Sequence, residues 1–227
     1  MTSALPRVVG LLATQNRPAM AHRAAHLFFE QDYAGPKSLV VFDDGDQYFE
    51  TCEALNAADV VYHTRVSLPA KRNEMVRHVD DRDAIYFVWD DDDYHGPARV
   101  RHQVDALLAA PDATACLLRP FLYFNQVKNE TRQALEQDAD ATLAFRWAFW
   151  EERAWDETID PGSGFRMISR RSRTQLIRID GRTDYIVVWH GDHRFEAAPD
   201  AFTPHWLASH VDAVEANHLL ALRCVED

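Results

Sequence analysis

The segment Ala84-Ile85-Tyr86-Phe87-Val88-Trp89-Asp90-Asp91-Asp92-Asp93 runs an apolar stretch directly into four consecutive carboxylates. Its first half has the length and the β-branched and aromatic content of a buried strand. A strand that ends in clustered carboxylates sets them where open α/β sheets bind ligands, beyond the C-terminal ends of the strands. Adjacent negative charges repel one another unless a cation or hydrogen bonds hold them. Hard divalent ions such as Mg²⁺ or Mn²⁺ take oxygen ligands and commonly bridge one or two carboxylates to substrate phosphates. A solvated acidic turn could carry the same run, so its neighbours decide the reading.

Upstream, the pattern alternates strands and helices. Arg7 to Ala13 reads as a strand, and Pro18 to Glu30 as a helix with proline in its first turn. Ser38 to Phe42 is a second strand, ending in Asp43-Asp44-Gly45-Asp46, with a short helix expected over Gln47 to Asn56. Val60-Val61-Tyr62 reads as a third strand, followed by a helix over Ala70 to Val79. Beyond the acidic run a helix is expected from Pro97 to Ala109. This rhythm calls for a mostly parallel sheet covered by helices on both faces.

The second half is less regular. Cys116 to Val127 holds an extended stretch, and Ala144 to Trp155 is rich in aromatics, with Trp147, Trp150 and Trp155. These tryptophans suit either a core or a platform on which a sugar stacks. Gly162-Ser163-Gly164 precedes the apolar Phe165 to Ile168, and Trp206 to Leu222 has helical spacing. With no repeat, low-complexity segment or linker, one domain over residues 1–227 is expected.

Composition narrows the classes. A chain of 227 residues with 47% hydrophobic content can bury a sizeable core. No apolar run reaches the about 18 residues a membrane span needs, and the N-terminus lacks a signal peptide's charged start and apolar middle. Cys52, Cys116 and Cys224 are dispersed without metal-site spacing, which favours a reducing cytoplasm. A net charge of −12 disfavours a nucleic-acid partner, whose phosphates require clustered Lys and Arg.

Four segments together resemble a family 2 glycosyltransferase, a nucleotide-diphospho-sugar transferase of the GT-A fold. Val8-Val9-Gly10-Leu11-Leu12-Ala13-Thr14-Gln15-Asn16-Arg17-Pro18 resembles its opening strand and Pro-Thr-Tyr-Asn-Arg turn, with Ala13 for Pro and Gln15 for Tyr. Leu39 to Asp46 resembles the second strand ending Asp-Asp-Gly-Ser. Lys71-Arg72-Asn73 resembles the Ala-Arg-Asn that starts a helix before the metal motif. Ile85 to Asp93, followed by Pro97, resembles the Phe-Leu-Asp-x-Asp-Asp segment and its downstream proline.

The resemblance implies an α/β, GT-A (Rossmann-like) three-layer sandwich with a mostly parallel central sheet. Residues from about 1 to 110 would form the nucleotide-sugar half and those from about 111 to 227 a less regular acceptor half. It implies Mn²⁺ or Mg²⁺ on Asp90 and Asp92, with Asp91 near the ribose or metal. Asp93 would support the others or cap the following helix. Asp44 stands where the family accepts a hydrogen bond from uracil, making a UDP-sugar the expected donor, with Asp43 supporting it. Thr14 and Arg17 would approach the nucleotide. Arg72 would meet the base or diphosphate, a task suited to a fork of donors.

The acceptor half must supply a carboxylate that takes the proton from the attacking hydroxyl. His190-Gly191-Asp192-His193-Arg194-Phe195 resembles the Gly-Asp-x-Arg-Phe of spore-coat polysaccharide-type members, with Asp192 lying 100 residues beyond Asp92. Asp192 is therefore the expected general base, although Gly191 stands where an acidic residue is most common. Asp184 and Asp160 are its rivals, and His190 and His193 flank it. His205 or His210 would be candidates for a late histidine recruited to the metal. A sugar-nucleotidyltransferase fits less well, because no glycine-rich loop follows the first strand. A non-catalytic nucleotide-sugar or metal-binding protein is the remaining alternative. The acceptor is expected to be a glycan, a protein or a small molecule rather than DNA.

Overall fold

The structure is a computed structural model describing residues 4–47, 58–62, 65–125, 130–159, 163–169 and 175–189. Its main sheet begins with β1 (Val8–Thr14), β2 (Lys37–Asp43), β3 (Asp59–Tyr62) and β4 (Ile85–Val88). These strands are linked by α1 (Pro18–Phe29) and α2 (Leu68–Val79). After the acidic run come the short β5 (Tyr94–His95), α3 (Arg99–Ala109), β6 (Ala115–Leu118), β7 (Phe121–Asn125) and β8 (Glu130–Ala134). A 3₁₀ turn (Asp140–Thr142), β9 (Ala144–Arg146), α4 (Trp147–Glu152), α5 (Ser163–Ser169), β10 (Leu176–Ile179) and β11 (Tyr185–Trp189) follow.

Seven strands form the main sheet in the order β10-β6-β9-β4-β1-β2-β3. Pairings among β4, β1, β2 and β3 are parallel, as is β10 with β6, and β9 runs antiparallel to both neighbours. Alternation along the strands feeds two cores. Val9, Leu11, Val40, Phe42, Tyr86 and Val88 face one side with Met75 and Val76 of α2. Val8, Leu12, Leu39, Val41, Ile85 and Phe87 face the other with α1 and α3. Both sheet faces are thus covered, giving the expected three layers. Gly10 lets α1 approach closely, because a Cβ there would lie 2.7 Å from Leu39 Cδ1 and 2.8 Å from a Phe28 ring carbon.

The first strands and helices match their expected places within a residue or two. α2 starts at Leu68 rather than Ala70 because Ser67 Oγ caps it, accepting from the Ala70 N–H, and Pro69 sits in the first turn where its missing N–H costs nothing. α3 starts at Arg99 rather than Pro97, since Gly96 to Ala98 form a turn closed by Arg99 N–H donating to Gly96 O.

The larger departure is a second sheet, β5-β11-β7-β8, not foreseen from sequence. The extended stretch from Cys116 divides at Arg119-Pro120, placing β6 in the main sheet and β7 in the second. The aromatic stretch resolves likewise into β9 and α4, with Trp147 and Trp155 buried in the core and Trp150 packed against it. These tryptophans therefore do not form the exposed sugar platform considered above. Most of the expected Gln47 helix and the helix expected over Trp206 to Leu222 lie outside the described residues. Among the described residues, no helix is long and apolar enough to cross a membrane.

Candidate active site

Parallel register sets the site. Thr14 and Asp43 are paired at the C-terminal ends of β1 and β2, and the Trp89 N–H donates to Leu11 O, carrying β4 into the acidic run alongside them. The loops after β1, β2 and β4 therefore open on the same sheet edge, where a twisted parallel sheet leaves a crevice.

Asp91 is the buried centre of the run, 1% exposed. Thr14 Oγ1 donates to its Oδ2 at 2.7 Å, and Arg17 Nη2 donates to its Oδ1 at 2.6 Å. Arg17 uses its other terminal nitrogen on Asp92 Oδ2 at 2.9 Å, so one guanidinium spans two carboxylates. Arg23 reaches the Asp91 carbonyl at 3.3 Å. The loop that presents Arg17 is shaped by Asn16, at φ 54°, whose side-chain oxygen accepts from the Asp46 and Gln47 N–H groups. That bond ties the first loop to the second, and left-handed backbone is a conformation Asn tolerates.

The first two turns of α2 contribute three buried side chains to the site. Successive helical residues point about 100° apart, so Lys71, Arg72 and Asn73 serve different partners. Lys71 Nζ donates to Thr14 O at 3.0 Å and pairs with Asp44. Arg72 Nη2 pairs with Asp90 Oδ1 at 2.8 Å, and its Nη1 pairs with Asp140. Asn73 Nδ2 donates to Trp155 O and Glu157 Oε1, while its Oδ1 accepts from Trp150 Nε1 and Trp155 N.

Asp44 is fully engaged, its second oxygen accepting from the Val66 N–H at 3.0 Å. Asp43 Oδ1 accepts from the Gly45 N–H at 2.8 Å, and its Oδ2 is buried with no hydrogen-bond partner. Asp93 does not cap α3, whose N-cap is Ala98. It turns instead toward the second sheet, accepting from the Tyr185 hydroxyl and from Val188 N–H at 3.1 Å.

A further layer lies beneath. His95 stacks on Trp89 with ring centroids 3.8 Å apart, and its Nε2 meets the Asp90 carbonyl at 3.0 Å. Arg99 donates to His95 Nδ1, which makes that nitrogen an acceptor and the imidazole neutral, with Nε2 the donor to Asp90. Arg99 also donates to Val88 O at 2.9 Å and Ala141 O at 3.0 Å, and lies over the Trp89 and Tyr185 rings.

The electrostatics follow from this crowding. Burial, then the neighbouring Asp92 charge, raises Asp91 to about 7 despite the pull of Arg17 and Thr14. Burial also raises Asp90, with Asp92 adding to it and Arg72 opposing. Asp93 is pushed well above the usual carboxylate range by burial and by Asp92 and Asp90. Burial and Arg99 hold His95 well below the usual histidine value. Burial opposes the charge of Arg72, yet Asp90 and Asp140 outweigh it and raise its pKa.

The structure thus gathers Thr14, Arg17, Asp90, Asp91, Asp92 and Arg72 into one network, joined to Asp44 through Lys71. Asp184 is not part of it: its buried carboxylate meets His102 Nδ1 of α3 at 2.7 Å. Asp192, Asp160, His190, His193, His205 and His210 lie outside the described residues. Sequence reasoning missed Lys71, Asp140, His95, Arg99 and Tyr185 as members of this architecture. Only Lys71 carried a signal, as the departure from alanine beside Arg72.

No known family profile matches the sequence, and no curated protein does. Solved structures do resemble the fold. Residues 1–349 of S. aureus TarS in complex with UDP align at TM-score 0.63 and 12% identity, over 95% of this chain and 70% of that one. Mannosyltransferase PcManGT from Pyrobaculum calidifontis, in complex with GDP-Man and Mn²⁺, aligns at TM-score 0.60 and 16% identity. That match covers 85% of this chain and 59% of the mannosyltransferase. The chain also spans 40% of a longer TarS structure. The fold is therefore the GT-A arrangement expected above.

Proposed function

We propose that this chain is a metal-dependent, inverting glycosyltransferase that moves a sugar from a nucleoside-diphosphate donor to an acceptor hydroxyl. The observation that carries this reading is the convergence of the β1, β2 and β4 loops. Together with α2, they bring two guanidinium groups and the acidic run to one sheet edge in a fold shared with structures holding UDP or GDP-Man. About the first 110 residues form the donor half of a single domain and the remainder the acceptor half.

The donor set suits a hard cation. Asp90 and Asp92 offer carboxylate oxygens on side chains 23% and 19% exposed. Among the described residues no group of three His, Cys, Asp or Glu is placed to hold a metal. A cation on these two carboxylates would draw its remaining ligands from water and substrate phosphates. Mn²⁺ or Mg²⁺ on Asp90 and Asp92 would supply Lewis-acid stabilisation of the leaving diphosphate.

The chain's own groups perform the remaining work. Arg17 and Arg72 present N–H forks suited to phosphate oxygens. Thr14 holds Asp91 beside the nucleotide, and Asp43 and Asp44 shape the second loop from the interior, where Lys71 and the Val66 N–H take both Asp44 oxygens; the preference for uracil rests on the resemblance at Asp44. Asp192 follows Trp189, the end of β11, by three residues. As general base it takes the acceptor O–H proton while that oxygen attacks the anomeric carbon. The bond from that carbon to the diphosphate breaks, and its electron pair leaves with the phosphate oxygen.

A thermal-shift screen of UDP, GDP and their sugar conjugates, with and without Mn²⁺, tests the reading. A ligand at 100 times its Kd adds about 2.7 kcal/mol, which is about 5–10 °C for a chain of this size. A Mn²⁺-dependent shift of that order is expected, and Asp192→Asn should keep it while losing transfer. No shift with any nucleotide, with or without Mn²⁺, would overturn the proposal.

A further inference from the structure

Arg72 is nearly buried, 4% exposed, and holds one carboxylate at each end of its guanidinium: Asp90 from the acidic run and Asp140 from the 3₁₀ turn before β9. The two partners differ in how firmly they are fixed. Asp140 is locked by its turn, where the Leu143 N–H donates to Asp140 O, and by α5, whose Gly164 packs so closely that a Cβ there would collide with the Asp140 carboxylate. Asp90 lies on the loop between β4 and β5, its side chain 23% exposed against 28% for Asp140, so the difference between the two lies in the Gly164 packing and not in exposure. The third guanidinium donor, Arg72 Nε, is buried without a partner.

A buried arginine with an unspent donor and one exchangeable carboxylate is suited to trading that carboxylate for a phosphate oxygen. Resting on the glycosyltransferase reading, we propose that Arg72 is the resident counterion of Asp90. It releases Asp90 to a divalent cation only when a nucleoside diphosphate offers the guanidinium a replacement anion. Asp140 is the positioning residue that retains Arg72 through the exchange. Metal alone would leave a desolvated guanidinium half-paired, which is costly. Metal and diphosphate together leave no charge unpaired, so each strengthens the binding of the other by the same factor.

Direct Mn²⁺ titration followed by the electron paramagnetic resonance signal of the free ion tests this without any turnover. For the full chain, UDP (or GDP, if that is the nucleotide that shifts melting) should tighten Mn²⁺ binding by at least about fivefold, the lower end of typical coupling. Without nucleotide, Arg72→Gln should bind Mn²⁺ several-fold more tightly than the unsubstituted protein, and nucleotide should tighten that binding by a smaller factor than it does in the unsubstituted protein. Arg72→Lys keeps the counterion and should stay near the original affinity. Asp140→Asn leaves Arg72 with Asp90 alone and should weaken nucleotide-free Mn²⁺ binding. A weaker or unchanged affinity in Arg72→Gln would overturn the exchange while leaving the donor site standing. Should that variant fail to fold, unchanged or tighter binding by Asp140→Asn would do the same. Absence of Mn²⁺ binding by the unsubstituted protein, with or without nucleotide, would overturn the donor-site reading along with it.

Discussion

Lys71 illustrates how one side chain can join two loops. Its side chain is 3% exposed and that of Asp44 is fully buried, so the pair works in a poorly screened environment. The same ammonium donates to the Thr14 carbonyl, tying the end of β1 to the loop after β2. Replacing Lys71 with Met would strand the Asp44 carboxylate in the interior, with the Val66 N–H as its remaining described donor. Removing one member of a buried pair typically costs about 3–5 kcal/mol. Urea unfolding of Lys71→Met should show a loss of that order, and adding Asp44→Asn should restore part of it. A loss below about 1 kcal/mol would place the pair among screened surface contacts. The residue type alone announced none of this, since lysine is ordinarily exposed. The fold buries it by placing the first turn of α2 beneath two strand ends.

Among the elements, β11 shows how the two sheets are coupled. It pairs with β5 and β7 in the second sheet, and Asp93 reaches across to hold its first residue and its backbone at Val188. The acidic run is therefore bolted to the strand that leads into His190-Gly191-Asp192. Asp93→Leu would leave the Tyr185 hydroxyl and the Val188 N–H buried without their acceptor. At about 1–3 kcal/mol per orphaned group, it should cost about 2–6 kcal/mol. Asp93→Asn keeps a carbonyl oxygen for Val188 and a polar partner for Tyr185, so its loss should be no more than half as large. Equal losses in a chemical-denaturation comparison would contradict the clamp. The strand itself was not singled out from sequence, because Tyr185-Ile186-Val187-Val188-Trp189 is short and its two partners come from distant parts of the chain. By contrast β1, β2 and β4 were legible, since strands buried on both faces read as continuous apolar runs.

At the scale of the whole molecule, the acidic run makes the metal-free protein pH-sensitive. A carboxyl whose folded pKa is raised binds more protons folded than unfolded, so its contribution favours folding at low pH and fades as pH rises through the folded value. Asp91, raised to about 7, and Asp93, also raised, both have this sign. His95 acts in the opposite sense: kept neutral in the fold, it weakens stability once pH falls below its unfolded value of about 6.5. In EDTA, the melting temperature should therefore rise as pH falls from 8 to about 6.5 and go on rising toward the unfolded carboxylate value of about 3.9, with His95 offsetting one of the raised carboxyls Asp90, Asp91 and Asp93 below about 6.5. Asp91→Asn should reduce the slope in that upper window; an unchanged slope would remove Asp91 as its source. Periodicity was enough to read the parallel sheet, and the order of four short motifs singled out Thr14, Arg17, Asp44, Arg72 and Asp90 to Asp92, which the structure places at one sheet edge. Strand period and turn chemistry are local properties of the chain. Which charge meets which is not local. The pairing of Arg72 with Asp140, of Lys71 with Asp44 and of Asp93 with Tyr185 joins residues 27 to 92 positions apart, and only the packing of α2 and the second sheet against the sheet edge brings them within reach.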